Sequence, residues 1–324
     1  MSNKKLILIG GSNIDYIGDS RDKLIPGVSN IGTLAVSFGG VMRNVAENLA
    51  FLGNYCPFIT AIGEDDLGVK MKKGLANLGM NVYCPKSNLP TSTYIAINDS
   101  NHDMALALCD NRIISDLSPE YLESLKPIIE GYEYIAIDTN LIQETIDYIF
   151  KTFKHKKILC ECISPAKAQR LKPYLNQITL LKGNFHEGQS LSDGNLEGEE
   201  LIKSLFKKGI KNVVITHGPQ DIYIGENNKV IERVEVEPAI NIKNTTGSGD
   251  SLFAGVIDKF TEGCSLKEAV EFGHEMAEIT LKSDKATNEE IRLLSYRHQN
   301  TKKKPIRIAF FISLSLKVKF CYPN

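Results

Sequence analysis

The 324-residue sequence has almost no net charge, no long apolar segment and no cysteine arrangement typical of a metal site. Lys and Arg number 38 against 39 Asp and Glu, so the net charge of −1 gives no overall field that would attract nucleic acid or a membrane surface. The apolar run at residues 6–9 is too short for a signal peptide or a membrane span. We therefore expect a cytoplasmic protein that binds neither nucleic acid nor a membrane.

The seven cysteines are scattered along the chain. Cys160 and Cys162 alternate along a predicted strand, which would point them the same way. A metal site would need further ligands, and none is near in the sequence. The alternative is that both are small buried residues of a protein kept in a reducing compartment, and the sequence favours this alternative.

Two common nucleotide-binding motifs are also missing. No Gly-x-Gly-x-x-Gly follows the first predicted strand, although Gly10 and Gly11 stand there. No Gly-x-x-x-x-Gly-Lys-Ser/Thr occurs in the chain. These absences argue against a dinucleotide-dependent oxidoreductase and against a P-loop protein.

What the sequence does contain is a regular alternation of apolar runs and amphipathic stretches. Strands are predicted near residues 6–9, 58–62, 134–137, 157–162, 179–181 and 213–216. Helices are predicted at 41–52, from about 66 to 78, near 141–153, 165–175 and 197–208, from 250 to about 261, and after a capping box at 265–268. Such alternation predicts an α/β fold in which a mostly parallel sheet is covered by helices on both faces.

Two segments, about 16–38 and 91–109, break the alternation. Residues 91–97 and 104–108 flank a polar turn, and this pattern predicts a β-hairpin. From the residues alone, the hairpin is either part of a binding site or an addition to the fold with no role in binding.

The most informative pattern is Asn244-Thr-Thr-Gly-Ser-Gly-Asp250, a turn of small residues that opens a helix. Glycines let the backbone approach an anion, and the N–H groups at a helix start point toward it. Asp250 lies in the first turn, where a carboxylate could accept a proton from an attacking hydroxyl. For an isolated match, a plain turn followed by an acidic first-turn residue is the alternative.

A second pattern with the same logic lies upstream. Gly39-Gly40 ends an extended segment and opens an amphipathic helix with Arg43 and Asn44 in its first turns. Asn44 would offer a hydrogen-bond donor and an acceptor to a ligand. Arg43 could be a solvated helix residue or could reach a substrate group.

Together the two patterns resemble the signatures of the ribokinase-like, or PfkB, carbohydrate kinases. The resemblance runs from about Lys4 to about Ser283, and within the family the Arg43-Asn44 pair and the Asn-Thr-Thr-Gly string look most like pseudouridine kinases. It implies a three-layer α/β/α domain over residues 1–290 with a small β-sheet lid from the two inserted segments. It also implies ATP and Mg²⁺ as cofactors, transfer to a primary 5′-hydroxyl, most of all that of pseudouridine, and a homodimer formed through the lid.

The resemblance assigns roles to residues of both motifs. Catalysis is assigned to Asp250 with the backbone of Gly247, Ser248 and Gly249, and substrate binding to Asp15, Gly39, Gly40 and Asn44. Nucleotide binding is assigned to Lys182, Asn184, Thr216, Gly218, Thr245 and Thr246. Glu187, in the family's Asn-x-x-Glu element, would act through water on Mg²⁺, an ion that tends to keep its waters.

Four further candidates for substrate binding join Asp15: they are Asn13, Glu161, Lys167 and Arg43. Asn13 and Asp15 come after the first strand, at the sheet edge where ligands of α/β proteins bind, although an Asx turn is the alternative. Glu161 could point into the same crevice from its strand, and Lys167 lies just after it. Arg43 completes this set.

The chain departs from the family at Asn244, where many members have an Asp that helps to bind a monovalent cation. An amide has no net charge, so activation by K⁺ is doubtful here. The presence of Asp250 argues against a non-catalytic sugar-binding protein on this fold. A kinase for ribose, fructose or an ordinary nucleoside stays as the alternative to pseudouridine.

Residues 291–324 are atypical, because they contain eight Lys or Arg and no Asp or Glu. This tail could be a terminal strand, a basic surface arm or sequence introduced by a reading-frame artefact. The resemblance stops before it, and we assign it no function.

Overall fold

The computed structural model describes residues 5–101, 103–236 and 239–295. The strands are β1 (Leu6–Ile9), β2 (Asn13–Ser20), β3 (Gly32–Gly39), β4 (Phe58–Ile59), β5 (Val82–Tyr83), β6 (Thr93–Asn98), β7 (Met104–Asp110), β8 (Tyr134–Asp138), β9 (Lys157–Glu161), β10 (Ile178–Asn184), β11 (Val213–Thr216), β12 (Ile222–Glu226) and β13 (Val230–Val234). The helices are α1 (Val41–Phe51), α2 (Asp66–Asn77), α3 (Pro119–Ser124), α4 (Lys126–Ile129), α5 (Gln143–Thr152), α6 (Pro165–Ala168), α7 (Phe185–Leu191), α8 (Gly198–Lys207), α9 (Ser248–Glu262) and α10 (Leu266–Leu281). Short 3₁₀ helices cover Arg112–Asp116, Gln169–Gln177 and Glu289–Ile291.

The larger sheet has the strand order β13-β12-β11-β10-β9-β8-β1-β4-β5. All neighbouring strands from β5 to β11 are parallel, and only the β11–β12 and β12–β13 pairs are antiparallel. The carboxyl ends of seven parallel strands therefore meet at one edge. This arrangement confirms the mostly parallel central sheet predicted from the alternation of elements.

Both faces of this sheet are buried, as the fully apolar strands require. In β1, Leu6 and Leu8 join a cluster with α1, α9 and α10, while Ile7 and Ile9 join a cluster with α5 and α8 on the opposite face. Side chains of a strand alternate between faces, so one short strand supplies both cores. The three-layer α/β/α architecture is confirmed.

The smaller sheet has the order β3-β2-β6-β7 and is made from the two segments that interrupt the alternation. The predicted hairpin is present, because β6 and β7 pair antiparallel. We call this four-stranded sheet the lid sheet. Its strands β2 and β6 pair in parallel, whereas the other two pairs are antiparallel.

Some predicted boundaries were wrong. The strand expected at 58–62 ends at Ile59, because the chain turns away from β1 to start the loop that leads to α2. Asn13 and Asp15 belong to β2, where they pair with Gly39 and Ser37 of β3, so the alternative of an isolated Asx turn is excluded. The helix expected at 165–175 is a short α6 that continues as a 3₁₀ helix containing Pro173.

Other local predictions were correct. Ser265 and Glu268 form the predicted capping box of α10. Cys160 and Cys162 are both buried and unpaired, in agreement with the interpretation as small core residues. Among the described helices, none is long and apolar enough to span a membrane. Most of the atypical tail, from residue 296 onward, lies outside the described residues.

Helices α9 and α10 pack closely through glycines, and this contact can be tested. A methyl group at Gly255 would lie 2.5 Å from the Gly273 Cα and 2.8 Å from the Met276 Sδ. We expect Gly255→Ala to lower the free energy of unfolding by about 1–3 kcal/mol, because the helices must separate. Urea unfolding followed by circular dichroism measures this.

Gly74 of α2 offers the matched control, since it is exposed and an added methyl meets nothing within 4 Å. Gly74→Ala should raise the free energy of unfolding by up to about 1 kcal/mol through helix propensity. If both variants were equally stable, the close α9–α10 contact would not matter for stability.

Candidate functional site

A cavity of about 230 Å³ lies between the lid sheet and the carboxyl ends of the parallel strands. Seven of the predicted site residues line it: Asn13, Asp15, Gly40, Asn44, Lys167, Thr246 and Asp250. A larger cavity of about 640 Å³ lies at the amino ends of β1 and β8 and contains none of the predicted residues. The fold thus brings the two sequence motifs to the smaller cavity, at the edge where ligands of α/β proteins usually bind.

Asp250 enters this cavity from the first turn of α9. Gly247 precedes the helix with φ of +81°, and a Cβ there would lie 2.0 Å from the Ala286 carbonyl oxygen. Only glycine fits both demands. The Asn44 amide donates a 2.7 Å hydrogen bond to Asp250. Burial raises the pKa of Asp250, while this bond and the charge of Lys182 act in the opposite direction.

Arg43 fixes the orientation of the Asn44 amide. Its guanidinium donates 2.8 Å bonds to the Asn44 Oδ1 and to the Phe38 carbonyl oxygen, and a 2.6 Å bond to Glu47. Because the Asn44 oxygen is occupied by Arg43, its NH₂ group faces Asp250. Arg43 is buried behind the cavity wall, so it is not a solvated helix residue, and the structure gives its side chain a positioning role.

Asn13 and Asp15 form a second polar pair on the cavity wall. The Asn13 amide donates a short hydrogen bond to the Asp15 carboxylate. Burial raises the pKa of Asp15 to about 6, against the opposing effects of Asn13 and Arg43. Gly39 lies against this carboxylate, and a Cβ there would be 2.0 Å from the Asp15 oxygen. The predicted glycine therefore makes room for Asp15.

Asp138, which the sequence analysis missed, connects three of the segments that carry these residues. Its fully buried carboxylate accepts hydrogen bonds from the backbone N–H groups of Gly11 at 3.0 Å, Met42 at 3.1 Å and Asn140 at 2.9 Å. Burial raises the pKa of Asp138, and these three bonds oppose the rise. One carboxylate thereby holds together the loop after β1, the start of α1 and the loop after β8.

Lys182 and Glu161 form a buried ion pair at the ends of β10 and β9. The two residues face each other in the strand register, and the ammonium lies 2.6 Å from the carboxylate. Burial acts to lower the pKa of Lys182, but the charge and hydrogen bond of Glu161, together with the charges of Asp250 and Glu187, outweigh it and raise that pKa. A Cβ on Gly249 would lie 3.1 Å from the Lys182 Nζ, so a cation stands beside the start of α9. Glu161 lies behind the cavity and does not line it.

Asn184 and Glu187 form the capping box of α7. The Glu187 carboxylate accepts bonds from the Asn184 backbone at 2.7 Å and from its amide at 2.9 Å. Thr216 ends the adjacent strand β11 and pairs with Asn184 in the register. Gly218 follows with φ of +57°. These residues lie beside the cavity at the same sheet edge and do not line it.

The loop before α9 is held by the residue that departs from the family pattern. The Asn244 oxygen accepts a 2.9 Å bond from the Thr246 N–H, and its NH₂ group donates a 3.3 Å bond to the Asp284 carbonyl oxygen. The Ser248 hydroxyl donates a 2.9 Å bond to the Thr245 carbonyl oxygen. The amide of Asn244 thus directly connects this loop to the segment after α10.

The carboxylates near Lys182 fit a hydrated ion better than an ion held by protein ligands alone. Among the described residues, no group of three or more His, Cys, Asp or Glu side chains converges on one point. Glu187 is buried with its oxygens bonded to Asn184, while the Glu161 Oε2 is buried without a hydrogen-bond partner in the described part of the chain. Such acceptors suit the waters of Mg²⁺.

Further residues of the cavity wall were not predicted. They are Gly11, Ser12, Val41, Ser92, Tyr94, Cys109, Asn111, Ile114, Asn140 and Ile163. Asn111 follows β7 directly and Asn140 lies two residues after the end of β8. The rule that singled out Asn13 and Asp15, a polar residue after a strand, could therefore have found both. The apolar members carry no such signal, because core residues look the same in sequence.

Among protein-family models, that of the pfkB family carbohydrate kinases matches the sequence over residues 3–292. The chain belongs to this family. It is 28% identical to the pseudouridine kinase of Escherichia coli (strain K12), over 89% of this chain and 94% of that protein. It is 25% identical to the guanosine-inosine kinase of Exiguobacterium acetylicum, over 84% and 93%. The structure of Arabidopsis thaliana ribokinase complexed with ribose and ATP has the same fold, with a TM-score of 0.76, 18% identity and coverage of 90% and 98%.

The raised pKa of Asp15 predicts a pH dependence of sugar binding. An ionised carboxylate accepts hydrogen bonds from hydroxyls, and a carboxyl with a pKa of about 6 becomes protonated below that pH. We expect the affinity for a sugar ligand, measured by calorimetry without nucleotide, to fall about tenfold per unit below pH 6. Asp15→Asn should bind more weakly and lose this dependence.

Asp250→Asn is the control, because it removes the other titrating carboxylate of the cavity and should keep the transition near pH 6. A midpoint near the ordinary value of 3.8 would contradict the assignment to Asp15.

Proposed function

We propose that this protein, through residues 1–290, is an ATP-dependent kinase that phosphorylates the 5′-hydroxyl of a nucleoside, and that its substrate is pseudouridine. The observation that carries the proposal is the Asp250 carboxylate at the start of α9, which faces a cavity lined with polar side chains and is oriented by Asn44. A carboxylate held in place beside N–H groups that can receive an anion suits phosphoryl transfer to a hydroxyl.

In the proposed reaction, the substrate hydroxyl attacks the γ-phosphorus of ATP in line. A new O–P bond forms, the bond from phosphorus to the β–γ bridging oxygen breaks, and ADP leaves. Asp250 accepts the proton of the hydroxyl. Burial raises the pKa of Asp250, which makes the carboxylate a better base near neutral pH. Asn13 and Asp15 would bind the sugar hydroxyls and, with Asn44, hold the acceptor in place.

The start of α9 would receive the phosphates. The first N–H groups of a helix have no carbonyl partner within it, so those of Gly247, Ser248 and Gly249 are suited to bind the transferring group. The Ser248 N–H would exchange its long 3.4 Å bond to the Thr245 carbonyl oxygen for the phosphate. The Lys182 ammonium beside Gly249 adds a positive charge. Thr245, Thr246, Asn184, Thr216 and Gly218 would bind the remaining nucleotide. Mg²⁺, reached through water by Glu187, would supply further charge neutralisation on the phosphates.

The similarity to the pseudouridine kinase supports the choice of substrate, and it spans nearly the whole of both chains. The similarity to the guanosine-inosine kinase is weaker but points to the same class of acceptor. The polar wall beyond the Asn13–Asp15 pair supports a nucleoside over a bare sugar, because ribose alone would leave part of it without a partner.

Replacing the proposed base tests the mechanism. Asp250→Asn should lower kcat about 10²–10⁴-fold, because the hydroxyl proton loses its acceptor, and should change ATP affinity by less than about threefold. Coupled ADP release and calorimetry measure the two quantities. Glu271→Gln, on the exposed side of α10, should behave as the wild type. An equal loss of ATP binding would show that Asp250 is structural.

The substrate is tested by turnover of pseudouridine, uridine, cytidine, inosine, ribose and fructose, each with and without K⁺. Selective turnover of pseudouridine supports the proposal, and turnover of another member replaces the substrate while keeping the kinase. We expect equal rates with and without K⁺. The Asn244 amide is neutral, and it already connects the loop before α9 to the segment after α10.

We further propose that the protein forms a homodimer through the outer face of the lid sheet. Two rows of residues paired across the strands place six apolar side chains on this face: Leu34, Val36, Ile95, Ile97, Leu106 and Leu108. All six are exposed, Leu106 to 63% and Leu108 to 66%. A contiguous apolar sheet face of this kind favours burial against another protein, and a second copy supplies the same surface.

A charge in this face should separate the subunits. We expect wild-type protein to sediment as a dimer and the double variant Leu106→Lys, Leu108→Lys to sediment as a monomer, because two buried ammonium groups per subunit would oppose association. Leu293→Lys is the matched control, since Leu293 is exposed to 57% away from the lid sheet. A monomeric wild type at micromolar concentration would rule out the proposed dimer.

A further inference from the structure

The wall of the cavity includes two hydrogen-bond donors and several apolar surfaces. Lys167 and Asn140 supply the donors, and Tyr94, Ile114 and Ile163 line the wall with them. A flat heterocycle with polar groups on its edge matches this combination, since small-molecule sites pair apolar walls with a few placed polar groups.

The contact between the two polar residues decides which groups they present. The Lys167 ammonium donates a 2.6 Å hydrogen bond to the Asn140 Oδ1. The Asn140 oxygen is therefore used, and its NH₂ group lies next to Gly11, 3.0 Å from the position of an added Cβ. Because an ammonium has only donors and the Asn140 oxygen already accepts one of them, the groups that the pair leaves for a ligand are chiefly N–H donors.

The backbone that carries Asn140 is fixed from both sides. Its N–H donates to Asp138, and one guanidinium nitrogen of Arg170 donates to the carbonyl oxygens of residues 139, 140 and 141 at 2.8, 3.3 and 2.8 Å. A side chain on a loop held in this way keeps its orientation without a ligand. Such preorganisation is what selective recognition requires.

The charge around the cavity argues for a neutral acceptor. Within the described residues, no carboxylate lies within 4.0 Å of the Lys167 ammonium, yet Asp15 and Asp250 line the same cavity and disfavour an anionic substrate. Sugar hydroxyls, which both donate and accept, suit the Asn13–Asp15 and Asn44–Asp250 pairs. A carbonyl oxygen, which only accepts, suits Lys167 and Asn140.

We propose that Lys167 and Asn140 select the base of the substrate, binding the carbonyl oxygens of an oxo-substituted nucleobase and rejecting a base with an amino group in that position. This proposal rests on the proposed nucleoside kinase function and specifies the substrate class of that site. An amino group in that position would face the N–H donors of the site and leave them without an acceptor. The cost of these unpaired donors corresponds to a preference of about 10- to 100-fold for the oxo-substituted base over the amino-substituted base.

Uridine and cytidine are the matched probes, because they differ in one oxo or amino group. We measure kcat/KM for pseudouridine, uridine, cytidine and ribose, and nucleoside affinity by calorimetry without ATP. Wild-type protein should prefer uridine to cytidine by about 10- to 100-fold. Lys167→Met should lose most of this preference, because its kcat/KM for uridine should fall more than its kcat/KM for cytidine.

Asn140→Asp tests the donor of Asn140 with little change in side-chain shape. The carboxylate has nearly the same shape and can keep its contact with Lys167, but it replaces the NH₂ donor by an acceptor. The ratio of uridine to cytidine should therefore fall at least about tenfold, toward cytidine. Lys172→Met, an exposed lysine of the following 3₁₀ helix, should keep the wild-type ratio.

The two proposals fail in different ways. If the wild type phosphorylates nucleosides but Lys167→Met and Asn140→Asp keep its uridine-to-cytidine ratio, the base-selection proposal is overturned and the kinase function stands. If the wild type phosphorylates only sugars without a base and calorimetry detects no nucleoside binding, both the nucleoside assignment and base selection are overturned.

Discussion

The buried carboxylate of Asp138 is the constraint on which the geometry of the cavity depends. A charge without solvent must be fully hydrogen-bonded, and the three N–H groups that satisfy it belong to Gly11, Met42 and Asn140. These groups come from three different segments, which must therefore converge whenever the protein is folded. The loop that leads into β2, the motif at the start of α1 and the loop that carries Asn140 are thereby set at fixed separations before any ligand arrives.

Two buried cations, Arg43 and Lys182, fix the side chains around Asp250 and the start of α9. Arg43 sets the Asn44 amide that contacts Asp250, and Lys182 stands between Glu161 and the start of α9. Both cations are buried and each is paired, so their side chains cannot swing into the cavity at little cost. The cluster is thus rigid in the way that phosphoryl transfer by positioning and electrostatics demands.

The lid sheet serves the cavity with one face and leaves the other apolar. Asp15, Tyr94 and Cys109 are neighbours across adjacent strands, and all three line the cavity. The next row of cross-strand partners exposes Val36, Ile95 and Leu108 on the opposite face. Since strand side chains alternate strictly, a sheet that presents polar groups to a substrate on one side can carry an unrelated apolar surface on the other.

The sequence by itself determined the α/β class, the positions of most elements and the two motifs around Asn44 and Asp250, because periodicity, glycines and first-turn residues are local signals. It also indicated Lys167, though without a partner. Only the tertiary structure decided that Asp138 ties the loops together and that Arg43 and Glu161 lie behind the wall and position other side chains. It likewise decided that Asn140 joins Lys167. Each of these roles arises from contacts between strands and loops distant in the chain, and such contacts depend on strand order and register, which local patterns do not encode.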